Sequence, residues 1–242
     1  MVRFQLRRGV DVNWQKSNVF DSRSGLHFAA QHNNGEVLEL LLAQNGVNVN
    51  IRATKKKVTP FMMACIYGHE DIMRRLSQVS GIQIGIAVLL CAVASKKPGC
   101  VSVLRGVDGV DWNGRNIHGV GPLTLAVGSG LADILQIILS VPEPQLDLSV
   151  TSPDGRNIAQ IAVEENEGDN QRCLELLSAD RRVDQYWNVK NPDGDSPVMF
   201  CLKTKRITMA TTLLANPSVD LDTVDSEGRH LEDIARSAFN II

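Results

Sequence analysis

The chain has 242 residues, of which 43% are hydrophobic and 21% are charged, a composition typical of a protein that buries a core rather than of a disordered chain. A formal net charge of −2 and only 5% aromatic residues argue against a nucleic-acid-binding protein. The longest apolar run, residues 84–94, is much shorter than the roughly 20 residues that span a bilayer. We therefore predict a buried helix there and no membrane insertion.

The first residues are basic, but no apolar stretch of the length of a secretory signal follows them. The number of cysteines is odd, and their spacing matches no zinc site. We predict reduced, mostly buried thiols, no bound metal, and an intracellular protein of the cytoplasm or the nucleus. The cysteines are Cys65, Cys91, Cys100, Cys173 and Cys201.

The two halves of the chain have opposite charge. Residues 1–121 contain 15 Lys and Arg against 8 Asp and Glu, a net charge of +7, and residues 122–242 contain 10 against 19, a net charge of −9. This asymmetry predicts a basic surface on the early part of the molecule and an acidic surface on the later part.

An apolar–polar–apolar triplet recurs along the chain, from Val10-Asp11-Val12 to Val219-Asp220-Leu221. Its copies start at residues 10, 47, 82, 110, 146, 183 and 219. After most copies come a polar turn, a short helix, a tight turn and a second, more apolar helix. A period of this length predicts one supersecondary unit that is repeated and stacked.

The second unit shows the pattern clearly. Thr59 and Pro60 begin a helix, with Pro at a position that needs no intrahelical N–H partner, and Gly68 ends it. The apolar positions of the following helix, Ile72, Met73 and Leu76, share one face. Because neither helix can bury its apolar face alone, the pattern predicts a packed helix pair.

These segments resemble the ankyrin repeat, whose pattern has a finger turn, a Thr-Pro-Leu-His helix start and a Val-Val-x-Leu-Leu-Leu second helix. The segments that match are Leu26–Ala30 with Glu36–Leu42, Thr59–Ala64 with Gly68 and His69, Gly119–Ala126, and Asp193–Val198. The resemblance implies an all-α fold, a curved solenoid of antiparallel helix pairs with β-hairpin fingers. It also implies a single domain over 1–242, with units at about 1–23 (partial), 24–58, 59–86, 87–120, 121–156, 157–195, 196–229 and 230–242 (partial).

Departures from the family pattern lead to further predictions. The third unit is about seven residues short between Ile82 and Ala92, which predicts that its finger is missing. The units at the two ends are incomplete, so the resemblance implies self-association through them. Trp112 and Trp187 fall at the bases of fingers and are predicted to be buried, whereas Trp14 is predicted to be exposed.

Catalytic motifs are missing from the sequence: it contains no phosphate-binding GxxxxGK[ST] loop, no HExxH and no GxSxG. His27 and His69 occupy positions where the repeat pattern uses histidine to connect neighbouring repeats by hydrogen bonds. We therefore predict a protein without enzymatic activity and without a cofactor.

The family presents its finger tips and the ends of its first helices to partners. Matched position by position, this implies partner contacts from Lys55, Lys56, Lys57, Arg115, His118, Arg156 and Lys190 on fingers, and from Gln31, His32, Ile66, Tyr67, Glu164, Glu165, Lys203 and Thr204 on helices. Solvation alone explains the lysine run equally well, and Tyr67 serves either as an anchor for the partner or as a cover for a neighbouring Leu.

The function that this resemblance implies is a non-enzymatic scaffold that binds a protein or peptide on its concave face. The alternative is a structural or regulatory ankyrin segment of a larger multidomain protein. A third expectation concerns modification: Asn50 fits the asparagine that is hydroxylated in some ankyrin repeats.

Overall fold

The structure is a computed structural model, and it describes residues 11–15, 22–53, 57–164 and 169–239. These residues form α-helices and one 3₁₀ helix, and their only β-pairing consists of two isolated bridges, Gln15–Ser24 and Val224–His230. The contacts group into two compact units, unit 1 over 1–111 and unit 2 over 112–242. The single domain predicted from the sequence remains a prediction.

Unit 1 contains three helix pairs, each with an inner helix followed by an outer helix. They are α1 (Gly25–Gln31) with α2 (Gly35–Leu42), α3 (Pro60–Tyr67) with α4 (Glu70–Ser77), and α5 (Ile86–Ala94) with α6 (Pro98–Arg105).

Unit 2 continues the pattern. It has α7 (Pro122–Gly128) with α8 (Ala132–Leu139), α9 (Ile158–Glu164) with α10 (Asn170–Ser178), a 3₁₀ helix (Arg181–Tyr186), α11 (Pro197–Lys203) with α12 (Ile207–Leu214), and α13 (Leu231–Phe239).

Local sequence explains where these helices begin and end. At the start of α3 the Thr59 hydroxyl accepts a hydrogen bond from the Met62 amide at 3.2 Å, and Pro60 follows in the first turn. Gly68 ends the helix in the left-handed conformation, with φ of 78°. The two signals read from the sequence are therefore the ones that bound the helix.

The core of each unit lies between the two layers of helices. Inner helices contact the next inner helix and their own outer helix, and small side chains at the contact, such as Ala29, Ala64 and Ala126, are buried. The apolar run that predicted a buried helix is α5, whose Val88, Leu89, Leu90, Ala92 and Val93 are all buried. Each large aliphatic side chain buried in this way contributes about 1.5–3 kcal/mol.

The predicted fingers are hairpin turns, each closed by a backbone hydrogen bond. Examples are Ala53 N to Val58 O at 3.0 Å in unit 1 and Asn191 N to Asp195 O at 2.8 Å in unit 2. In the third repeat, which is short in sequence, α4 ends at Ser77 and α5 begins at Ile86. Within the described segment 57–164 this link contains no hairpin turn, as predicted.

Candidate functional site

In both units, asparagines connect finger bases to the following repeat. The side-chain amide of Asn13 donates to the Gly46 carbonyl at 2.8 Å, and its oxygen accepts from the Asn48 amide at 2.7 Å. Three further asparagines make the same pair of bonds at 2.8–3.1 Å: Asn50 to Gly81 and Gln83, Asn113 to Gln145 and Asp147, and Asn188 to Ser218 and Asp220. We call these four side chains the asparagine bridges.

Gly85 and Ser149 replace the asparagine in two other repeats, and a cavity lies beside each. Gly85 occupies its position in the third repeat, where a cavity of about 660 Å³ extends past Ile84 and Gly109. Ser149 occupies it in unit 2, where a cavity of about 430 Å³ is lined by Ser149 and Arg182. The asparagine bridges therefore connect neighbouring repeats through backbone groups of the following repeat.

A second series of side chains lies two residues after the bridges, and three of its members join finger to finger. Gln15 donates to the Arg52 carbonyl at 2.9 Å, Arg115 to the Thr151 carbonyl at 2.9 Å, and Lys190 to the Val224 carbonyl at 2.6 Å. Arg115 and Lys190 were predicted to contact a partner, and the structure gives both a role between repeats.

Charged residues at the ends of the inner helices of unit 2 are also paired internally. Arg156 lies 3.4 Å from Glu164, and Asn191 donates to the same carboxylate at 3.3 Å. Lys203 lies 2.5 Å from Asp195 and 3.0 Å from Asp225. Three predicted contact residues, Arg156, Glu164 and Lys203, are thus part of a network that connects fingers to helices.

Asp225 is the buried centre of the second part of this network. Burial raises the pKa of its carboxyl, but hydrogen bonds from the Arg229 backbone and guanidinium and from Lys203 outweigh that effect. The pKa of Asp225 is therefore held well below its usual range, and the side chain is an anion at neutral pH.

In unit 1, Gln31 at the end of α1 is also paired internally, accepting a hydrogen bond from Arg23 at 2.6 Å, whereas the end of α3 is apolar and accessible. Ile66 and Tyr67 close α3 and are 40% and 43% exposed. The Tyr67 hydroxyl accepts a hydrogen bond from the Gln31 amide at 3.2 Å, its ring stacks on His69, and its carbonyl accepts from Lys97 at 2.9 Å. The Tyr67 side chain is therefore held by Gln31 and His69, and its backbone by Lys97, while the residue stays partly open to solvent.

The other predicted contact residues are scattered. His32 and Thr204 end their inner helices and are exposed, His118 is exposed on its finger, and Lys57 is exposed with a φ of 49°. Lys55, Lys56 and Glu165 lie outside the described residues. Asn50 is half-buried, and its side-chain amide is one of the bridges. Its predicted hydroxylation would therefore occur on a side chain whose amide nitrogen and oxygen both already form hydrogen bonds.

Sequence reasoning missed one prominent surface residue, Ile117, which is 96% exposed. It lies in the finger turn between Asn116 and Gly119, which is closed by a hydrogen bond from the Gly119 amide to the Asn116 carbonyl. The signal was available, because a large apolar residue inside an Asn-x-x-Gly turn has no core to enter.

Both patterned histidines have the structural partners expected of them. Buried His27 interacts with Ser24 at its own helix start and with the Val58 carbonyl of the next repeat at 2.9 Å. His69 contacts the Gln31 carbonyl of the preceding repeat, also at 2.9 Å. Trp112 and Trp187 are buried and Trp14 is exposed, as predicted.

The cysteines form no disulfide, and four of them are buried. Burial raises the pKa of Cys173 and of Cys201 to about 12, so these thiols are protonated and unreactive at neutral pH. Across the described residues, His, Cys, Asp and Glu side chains form no group of three or more that could hold a metal ion. The helices in that part of the chain are too short or too polar to cross a membrane.

Comparisons with known proteins agree with this architecture. The sequence model for ankyrin repeats in three copies matches residues 1–88. The ankyrin repeat domain of Bcl-3, described as a unique member of the IkappaB protein family, superposes with a TM-score of 0.68. It is 20% identical over 90% of this chain and 97% of that one. The chain has the ankyrin repeat fold.

A second solved structure, the ankyrin repeat domain of human ASB11, superposes with a TM-score of 0.56. It is 22% identical over 89% of this chain and 96% of that one. At these identities the likeness establishes the ankyrin fold alone. No curated protein matches this chain in sequence at a significant level.

Proposed function

We propose that this ankyrin repeat protein is a non-enzymatic scaffold that binds a protein partner through the inner-helix ends and fingers of unit 1. Ankyrin repeats generally mediate protein–protein interaction. The observation that carries the proposal for this surface is the pair Ile66 and Tyr67, two large exposed side chains at positions where the repeats of α1 and α5 have Gln31-His32 and Ala94-Ser95.

The geometry of Tyr67 suits an anchor. A ring held by Gln31 and His69 loses little side-chain entropy on binding, so more of its contact energy remains as affinity. Tyr is also enriched at binding hot spots, because it offers a large apolar face with a polar tip. The alternative that Tyr67 only covers a neighbour fits less well with an exposed fraction of 43%.

Charge supports the same surface. Unit 1 contains 14 Lys and Arg against 8 Asp and Glu, so a partner with an acidic surface would be attracted to it over a distance set by ionic strength.

The cysteines, which form no disulfide, support a location of this protein in a reducing compartment, the cytoplasm or the nucleus.

The test is to capture partners from a cytosolic extract, identify them, and measure the affinity of a purified partner by calorimetry. The double variant Ile66→Ala/Tyr67→Ala is expected to weaken binding at least about tenfold, as the loss of a hot spot does. The matched control is Ile207→Ala/Leu214→Ala, which removes two exposed apolar side chains of α12. Equal losses in both variants would contradict the proposal for this surface.

The second candidate function is a structural segment of a larger multidomain protein. Exposed Ile207, Leu214 and Leu221 near the C-terminal part of unit 2 favour it, because they offer apolar area for a neighbouring domain. If the control variant, and not the Ile66→Ala/Tyr67→Ala variant, abolishes self-association or partner capture, this second function is the better account.

A further inference from the structure

The absence of the third finger leaves a cavity of about 390 Å³ beside the second finger, within the size range of ligand-binding clefts, about 300–1,000 Å³. One wall is formed by the second finger and the other by the short link and the start of α5. The lining residues are Asn50, Arg52, Lys57, Thr59, Met62, Gln83, Gly85, Ala87 and Val88. We call this cavity the finger gap.

Arg52 in the finger gap belongs to the series that joins finger to finger. Like Gln15, Arg115 and Lys190, it lies two residues after an asparagine bridge. Each of those three donates to a backbone carbonyl of the next repeat. Within the part of the chain that the structure describes, the Arg52 side chain donates no hydrogen bond.

The reason is the missing finger. The acceptors in the other three pairs are Arg52, Thr151 and Val224, which lie on fingers. The corresponding residue of the third repeat is Ala87, which lies inside α5, where helix geometry directs its carbonyl to the next helical turn. Arg52 is therefore positioned to bond a neighbouring finger that this repeat does not have.

The charged residues that line the finger gap are all cations. Arg52 and Lys57 are exposed cations, and none of the residues that line the gap is an Asp or Glu. Two cations without a counter-charge repel each other and favour an anionic occupant. Between them, Met62 and Val88 add an apolar floor.

We propose that the finger gap binds an extended, acidic segment of the protein partner, which takes the place of the third finger. An extended segment has unpaired backbone carbonyls that the Arg52 guanidinium can bond, as the fingers do elsewhere. Its side chains alternate between two faces, so carboxylates reach Arg52 and Lys57 while apolar side chains reach Met62 and Val88. The inference rests on the proposed function, since it names the kind of partner segment that unit 1 recognises.

The test uses the whole chain and a fluorescein-labelled eight-residue peptide that alternates Glu and Val. Fluorescence anisotropy is expected to show saturable binding that weakens as salt rises, and NMR is expected to show shifts at Gln83, Gly85 and Val88. A Lys–Val peptide of the same length is expected not to bind.

The variant Arg52→Gln/Lys57→Gln is expected to weaken peptide binding at least about tenfold, because it removes both cations of the gap. Ala87→Glu, which places a carboxylate in the gap, is expected to weaken it as well. The matched control is Arg74→Gln/Arg105→Gln, which lowers the net charge of unit 1 by the same amount outside the gap and is expected to bind as the wild type does.

Three outcomes would overturn the inference. They are no binding of the acidic peptide, an equal loss in the Arg74→Gln/Arg105→Gln control, and a concentration-dependent dimer that the gap variants abolish, which would make a second copy the occupant. If the captured partner depends on Ile66 and Tyr67 but not on Arg52 and Lys57, the inference fails while the proposed function stands. If the peptide binds but the Ile66→Ala/Tyr67→Ala variant captures the partner as the wild type does, the proposed function fails instead.

Discussion

The two units use the same scaffold but differ in what they do with the side chains at the ends of their inner helices. In unit 2, Glu164 and Lys203 are paired with charged residues of the fingers. At the same position in unit 1, Gln31 is bonded to Arg23, whereas Ile66 and Ala94 are exposed and without charge. Unit 2 thus pairs both of these charged side chains internally, whereas unit 1 leaves Ile66 available for a partner.

This difference shows why a charged residue on a repeat surface is weak evidence for a binding site. Arg156, Glu164 and Lys203 occupy positions that the family presents to partners, yet each has an internal ionic partner. A partner that recruits one of them must first break an existing bond. An exposed apolar residue such as Ile66 has no such competing interaction, so it is a stronger candidate for contact.

The largest expected effect comes from removing the buried charge of unit 2. Asp225→Asn leaves Lys203 and Arg229 close together without their shared carboxylate, and breaking a buried ionic network is among the most destabilising single changes. Urea unfolding at pH 7 is expected to show a clear fall in the midpoint. The control Glu39→Gln removes an exposed pair with Arg75 in unit 1 and is expected to change stability by about 0–1 kcal/mol.

The same carboxylate predicts a dependence on pH. Because the pKa of Asp225 is lower in the folded protein than in the unfolded chain, its stabilisation is fully present above about pH 4, the usual value for Asp, and is lost as pH falls toward its folded pKa. Melting curves from pH 6 to pH 2 should therefore fall more steeply for the wild type than for Asp225→Asn. Parallel curves would show that Asp225 does not titrate in this way.

The helix pairs could be predicted from the sequence, because each helix has a signal in its own local sequence. The Thr-Pro start and Gly end of α3 and the apolar face of α4 need no knowledge of neighbours. The role of Arg115 could not be found in the same way, because its acceptor is the carbonyl of Thr151, 36 residues away. Pairing across repeats depends on three-dimensional register, which a list of side chains at variable positions does not contain.

The asparagine bridges are an intermediate case between the helix pairs, which could be predicted from the sequence, and the Arg115 bond, which could not. An Asn recurs two residues after the polar member of the triplet at Asn13, Asn50 and Asn113, so its period could have been noticed. The sequence interpretation instead considered Asn50 alone and assigned it to modification. What made the role visible was the pair of bonds that each amide forms with the next repeat.

A middle-sized effect is expected from breaking these bridges. Asn113→Ala and Asn50→Ala each remove two hydrogen bonds between repeats, which should cost about 1–3 kcal/mol. Ser149→Ala changes the same position in a repeat without a bridge and is expected to cost much less. Chemical denaturation compares the three variants. A loss of stability for Ser149→Ala as large as that for Asn113→Ala would show that the effect comes from the position in the repeat and not from the hydrogen bonds of the bridge.

The smallest expected effect is a gain that should be the same in both units. The turn between inner and outer helices needs a left-handed residue, which is Gly68 or Gly130 in two repeats but Lys96 in unit 1 and Lys205 in unit 2, with φ of 56° and 58°. A non-glycine residue pays about 1–2 kcal/mol for this conformation. Glycine recovers that cost but adds about 0.4–1 kcal/mol of entropy to the unfolded chain.

The net gain for Lys96→Gly and for Lys205→Gly should therefore be about 0.5–1 kcal/mol each. Amide hydrogen exchange can measure it separately, in α6 for the first variant and in α12 for the second. Gly130→Ala is the reverse change at the same turn and should lose stability. Because the turn is local, its energy should not depend on the ionic pairing that distinguishes the units, and clearly unequal gains would mean that the ionic network of unit 2 also constrains its helix turns.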